Sequence, residues 1–120
     1  MITRFIRRRL GSFGFAFAGL RDLLMSQPNA KIHAAATVAV FIAAVVLQAP
    51  LWAWCWLIAC AAAVWSAEAL NTAFELLCDH ITPEQNATIG RIKDLAAGAV
   101  LVVALAAALV GGLLLISLAD

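Results

Sequence analysis

Ser66-Ala67-Glu68-Ala69-Leu70-Asn71-Thr72-Ala73-Phe74-Glu75-Leu76-Leu77-Cys78-Asp79 closes a long apolar run that begins near Leu51. Almost nothing in that run is polar until Glu68, after which Asn71, Glu75 and Asp79 follow at steps of three, four and four. On a helix those steps place all four side chains on one face. The run is also long enough to cross a bilayer, whose hydrocarbon core takes roughly 20 apolar residues. Ionisable groups inside such a segment are costly and mark functional sites. Two carboxylates and a carboxamide on one stripe can hold a hard cation through oxygen and leave one carboxylate as a base. Counted back from Asp79 at about 1.5 Å per residue, Glu75 lies roughly 6 Å deep and Glu68 roughly 16 Å, near the bilayer middle.

Outward from this stretch, a second polar cluster, Gly90-Arg91-Ile92-Lys93-Asp94, stands immediately before the last apolar segment. It brings two cations and a flexible backbone to one place. Phosphate suits both cations, since lysine meets it as a point charge and arginine as a fork. The two clusters are expected to close over a phosphate-bearing ligand at the membrane surface. The chain has no G-x-x-x-x-G-K-[ST] and no kinase-type glycine loop, so a nucleotide site here is not a P-loop. Nothing has zinc-ligand spacing. His80 reads as a solvated helix-end residue, and His33 sits at the inner interface beside Lys31.

The composition agrees with a membrane protein. The chain has 120 residues, 65% of them hydrophobic and 12% charged, against about 45–50% and about 25% in soluble domains. That length suits one domain. Cys55, Cys60 and Cys78 lie in apolar sequence with no C-x-x-C pair, and read as small core residues rather than a disulfide or metal set. No cleavable signal peptide is expected, because the basic amino-terminal stretch has glycine-broken hydrophobics and no clear cleavage site.

Residues 1–27 carry Ile2, Ile6, Phe13, Phe17, Leu20 and Leu24 on one stripe, with Arg4, Arg7, Arg8 and Arg21 largely off it. This pattern predicts an amphipathic helix lying in the interface with its basic face toward anionic headgroups. Gln27-Pro28 reads as an N-cap followed by proline at the first helical position. The first span is expected over 28–48, a tight turn at Gln48-Ala49-Pro50, and the second span over 51–79. Trp52, Trp54 and Trp56 open that span as an interfacial anchor, with one of them free to pack inward. Residues 80–94 are expected to form a polar connection, with a helix start at Thr82-Pro83-Glu84. The third span is expected over 95–118, rich in alanine and glycine for close helix packing.

Seven of the eight basic residues precede the first span or lie between the second and third, and Lys31 stands at the start of the first. The positive-inside rule therefore puts both polar clusters on the cytoplasmic side. The fold class that follows is all-α and integral to the membrane: a surface helix plus three spanning helices. Three helices are too thin to enclose the site, so an oligomer is expected.

Glu68-Ala69-Leu70-Asn71-Thr72-Ala73-Phe74-Glu75 with Asp79, followed by Gly90-Arg91-Ile92-Lys93-Asp94-Leu95-Ala96-Ala97-Gly98-Ala99-Val100, resembles the prokaryotic diacylglycerol kinase family, which includes undecaprenol kinases. Gly19-Leu20-Arg21 and Asn29-Ala30-Lys31-Ile32-His33 resemble its amino-terminal landmarks, so the likeness runs from about Arg8 to Ile116. The resemblance implies a homotrimeric helical bundle in the bacterial inner membrane. It implies transfer of the γ-phosphoryl of magnesium ATP to the hydroxyl of diacylglycerol or undecaprenol, with no nucleic-acid partner. It implies Glu68 as general base and Glu75 as the magnesium carboxylate, with Asn71 beside it. It further implies Lys93 against phosphate, Asp79 and Asp94 near the nucleotide, and Arg8 as a basic residue on the surface helix. Gln27 stands where the family usually has a second metal-binding glutamate, Phe74 where a smaller aliphatic is common, and Ala18 where a lysine is common. Two other readings stand beside the kinase: a small proton-coupled or channel-like protein using Glu68, and a non-catalytic family member suggested by Gln27.

Overall fold

The computed structural model describes residues 1–120 as four helices: α1 (Ile2–Ser26), α2 (Pro28–Val46), α3 (Leu51–Ile81) and α4 (Ala87–Ala119). Three of them, α2, α3 and α4, are long and apolar enough to cross a membrane. At about 1.5 Å per residue α2 is some 28 Å long, just the thickness of a bilayer core, while α3 and α4 exceed it by well over 10 Å.

The breaks between helices have local causes. Gln27 is extended and caps α2, and Pro28 takes the first helical position, where its missing N–H costs nothing. The α2–α3 turn is a Schellman closure. Gln48 N–H donates to the Val45 carbonyl at 3.0 Å and Ala49 N–H to the Ala44 carbonyl at 2.9 Å. Gln48 takes the left-handed position at φ 53°, which glycine usually occupies. Pro50 then starts α3.

The connection before α4 is shorter than the sequence suggests. Helix α3 continues to Ile81 and α4 begins at Ala87, so only residues 82–86 are non-helical. Thr82 does not cap α4; its hydroxyl accepts from Glu84 N–H at 3.2 Å within a local turn. The cap is Asn86, whose Oδ1 accepts from Ile89 N–H at 2.8 Å. Both residue types serve as caps, and asparagine is the stronger of the two.

The short turns make α2–α3 and α3–α4 antiparallel neighbours. Along α3 and α4 the contacts run in opposite senses: Asp79 meets Lys93, and Leu57 meets Gly111. The α3–α4 interface is the largest in the molecule. Trp54 packs edge-on against Phe41 of α2, with ring centroids 5.4 Å apart, while Trp52 and Trp56 stay exposed. Helix α1 leans on α2 and touches α3, and it buries only Leu23. The result is a slab of 52 × 49 × 20 Å, about two helices thick. Only 11 of the 120 residues are buried, so a single chain builds almost no core and its apolar faces are left for lipid or neighbouring helices. All three cysteines are free.

Candidate active site

The polar face of α3 is real and graded. Glu68 is buried at 2% exposure, Asn71 and Thr72 are also buried, Glu75 is half-buried, and the Asp79 side chain is 61% exposed. One helix thus carries its acidic stripe from a dry interior out to the end that joins the loop. Asn71 donates from Nδ2 to Glu75 Oε1 at 3.5 Å, the spacing expected of residues four apart on a helix.

Three oxygens on this face are buried without any hydrogen-bond partner: Glu68 Oε2, Asn71 Oδ1 and Thr72 Oγ1. A buried acceptor left unpaired costs about 1–3 kcal/mol. Three of them within about one turn make this the most costly polar burial in the chain. Asn71 faces Glu75 with its amide nitrogen while its Oδ1 is buried without a partner, so Glu75 is the carboxylate on this face suited to a hard cation. No group of three His, Cys, Asp or Glu side chains gathers anywhere.

At the polar end of α3, Lys93 Nζ donates to Asp79 Oδ1 at 2.6 Å. Lys93 stands on the first turns of α4, ahead of the apolar segment that starts at Leu95. This hydrogen bond holds its ammonium above the usual lysine range, so the side chain stays charged. The pair borders a cleft of about 480 Å³ walled by the 82–86 turn, Ile89 and Gly90. The two clusters singled out in the sequence therefore meet, through Asp79 and Lys93.

Other expected residues are not drawn in. Asp94 and Arg91 are exposed on α4, and neither makes an ion pair or a side-chain hydrogen bond. Arg8 lies exposed on α1, where its carbonyl accepts from the Ser12 hydroxyl at 3.2 Å. Gln27 is half-buried, and its amide donates to Ser26 Oγ at 3.4 Å with no bond to Glu75.

One residue at the site was underweighted in the sequence. His33 Nε2 lies 3.6 Å from Glu68 Oε2. On the same helix face, Thr37 donates to the His33 carbonyl at 2.7 Å and accepts from Trp65 Nε1 at 3.3 Å. A polar pair four apart in an otherwise apolar helix was the available signal. His33 lies only about 7.5 Å along α2 from Pro28, five residues at the helical rise. Glu68 is level with it, and α3 overhangs the start of α2. A largely apolar cavity of about 300 Å³ opens beside His33, between α2, α3 and the small residues Ala104, Ala107, Ala108 and Gly111 of α4.

A helical membrane chain with a buried carboxylate, a half-buried one bonded to Asn71 and a lysine-bordered cleft along one helix narrows the class. Residues 14–115 match the family described as prokaryotic diacylglycerol kinase, and the chain belongs to that family. It is 40% identical over 108 residues to a diacylglycerol kinase of Synechocystis sp., which covers 89% of this chain and 62% of that relative. It is 32% identical over 106 residues to the undecaprenol kinase of Bacillus subtilis, covering 88% of this chain and 86% of that relative.

Proposed function

We propose that this protein is a lipid kinase of the bacterial cytoplasmic membrane. It moves the γ-phosphoryl of magnesium ATP to the hydroxyl of a membrane lipid, diacylglycerol or undecaprenol. The observation that carries this reading is the gradient along α3, from a buried carboxylate at Glu68 to an exposed, lysine-paired one at Asp79. A hydroxyl offered from the bilayer and a phosphate offered from water need such a path in order to meet. Membership of a family whose relatives bear the names diacylglycerol kinase and undecaprenol kinase supports it.

Phosphoryl transfer asks mostly for positioning and charge neutralisation. Glu68 accepts the proton of the lipid hydroxyl as oxygen attacks phosphorus. The cavity beside His33 receives the apolar part of the lipid next to that carboxylate. Glu75, with Asn71 beside it, would hold magnesium, which would supply positive charge against the phosphate. The cleft at residues 82–90 takes the nucleotide, with Lys93 turning from Asp79 toward phosphate and Asp94 and Asp79 flanking it. Arg8 stands on α1, which lies on the membrane surface with its arginines toward headgroups. The positive-inside rule puts this end of the bundle in the cytoplasm. Assembly as a homotrimer covers the exposed apolar faces of a slab with almost no core.

The test is ATP-dependent labelling of lipid by purified protein in mixed micelles, with diacylglycerol and undecaprenol offered separately. Phosphorylated lipid from wild type, lost in Glu68→Gln with nucleotide affinity retained, is the expected result. Absence of labelled lipid with either acceptor would refute the kinase and return Glu68 to a proton-conducting role.

A further inference from the structure

Glu68 has a difficulty that its burial creates. The overall transfer, from a neutral hydroxyl and fully ionised ATP, yields a phosphorylated lipid, ADP and one proton. That proton passes first to the Glu68 carboxylate and must leave before the next turnover. Glu68 is 2% exposed, and its Oε2 has no hydrogen-bond partner. Water does not reach Oε2 directly. Among the side chains around it, one can take a proton: His33 Nε2, 3.6 Å from that same Oε2. The His33 side chain is 20% exposed, tenfold more than that of Glu68. Glu68 is the one carboxylate within 4.0 Å of the imidazole. The ring sits where α2, after Pro28, has run only about 7.5 Å from the polar end of the bundle.

We propose that His33 is the proton relay of Glu68, a positioning and proton-transfer residue acting through the base rather than on the lipid or nucleotide. The balance is simple. The hydroxyl O–H bond breaks as the new O–P bond forms, and Glu68 Oε2 holds the proton. The carboxylic acid then gives it to the free nitrogen of neutral His33, restoring the carboxylate. The imidazolium releases it to cytoplasmic water and returns to neutral. No oxidant, reductant or further reactant is needed. At 3.6 Å the pair stands just beyond hydrogen-bond length, the looseness expected of a catalytic contact before substrate closes the site. Thr37, bonded to the His33 carbonyl and to the Trp65 indole, fixes this stretch of α2 against α3 beside the pair.

This inference rests on the kinase reading, and the experiment separates their failures. Full-length wild type, His33→Gln and His33→Ala are compared in mixed micelles with diacylglycerol and undecaprenol offered separately. Glutamine keeps a hydrogen-bond donor of similar size and carries no proton onward. Both variants are expected to lose at least about tenfold in kcat, the low side of an acid–base contribution, with the KM for ATP within about twofold of wild type. Added imidazole is expected to restore kcat in His33→Ala, where it has room, and not in His33→Gln. A kcat in His33→Gln that falls less than about tenfold would mean that His33 only orients Glu68, and would overturn the relay. So would a folded His33→Ala that imidazole does not rescue. If His33→Ala fails to fold, as judged by its helical circular dichroism, His33→Gln decides through its kcat and KM alone. Absence of phosphorylated lipid from wild type overturns the relay together with the kinase.

Discussion

Replacing Glu68 with methionine should make the protein more stable while ending its activity. Glu68 is the largest fully buried side chain, and its Oε2 is without a hydrogen bond. His33 Nε2 stands off from it at 3.6 Å. An unpaired buried acceptor costs about 1–3 kcal/mol, and well-packed apolar replacements of buried charged groups are often neutral or stabilising by about 1–4 kcal/mol. Methionine has a similar length and is flexible enough to fill the same space. Glu68→Met is therefore expected to gain about 1–3 kcal/mol. Unfolding in mixed micelles with rising SDS, followed by the fluorescence of Trp52, Trp54, Trp56 and Trp65, reads that gain as a shift of the midpoint. Thr72→Val is the companion: it removes another partnerless buried oxygen from a residue given no chemistry here, so it should gain stability and keep turnover. A Glu68→Met protein less stable than wild type would refute the reasoning. It would mean that the carboxylate is satisfied in the working assembly and is buried for structure, not for chemistry.

Gln48 holds φ 53° at the C-terminal closure of α2, where a non-glycine residue costs about 1–2 kcal/mol; Gln48→Gly should raise the SDS midpoint by about that much, with kinase activity unchanged. A Cβ added at Gly111 meets only Leu57 Cδ2 at 4.0 Å, so Gly111→Ala should be tolerated in the same assay, whereas Gly111→Leu should lose about 1–3 kcal/mol by overpacking. The Lys93–Asp79 pair is partly to largely exposed, so Asp79→Asn should change stability by less than about 1 kcal/mol. Lys93→Met should instead raise the KM for ATP, measured by initial rates. Gln27 makes no bond to Glu75, so activity against free magnesium should be superimposable for wild type and Gln27→Glu; a leftward shift in the variant would bring position 27 into the metal site.

Much of this protein is written in local sequence. Helix α2 begins at Pro28 because proline is at home only in a first turn, and the spans follow from uninterrupted apolar length, which nothing but a helix can satisfy in hydrocarbon. The stripe of Glu68, Asn71, Glu75 and Asp79 was legible because helical periodicity fixes which side chains share a face, whatever surrounds them. The start of α4 was not, because Thr82 and Asn86 are both competent caps and the choice between them depends on how the chain turns. The register of α3 against α2 was not either: only their packing shows that α3 overhangs the start of α2. Burial has the same origin. Counting along the span already separates Glu68, Glu75 and Asp79 by depth, but neighbours contributed by other helices are what make the first dry and leave the last wet. The partnership of His33 with Glu68 joins residues 35 positions apart on two helices. No periodicity within either helix contains that contact, since it depends on the register in which they pack.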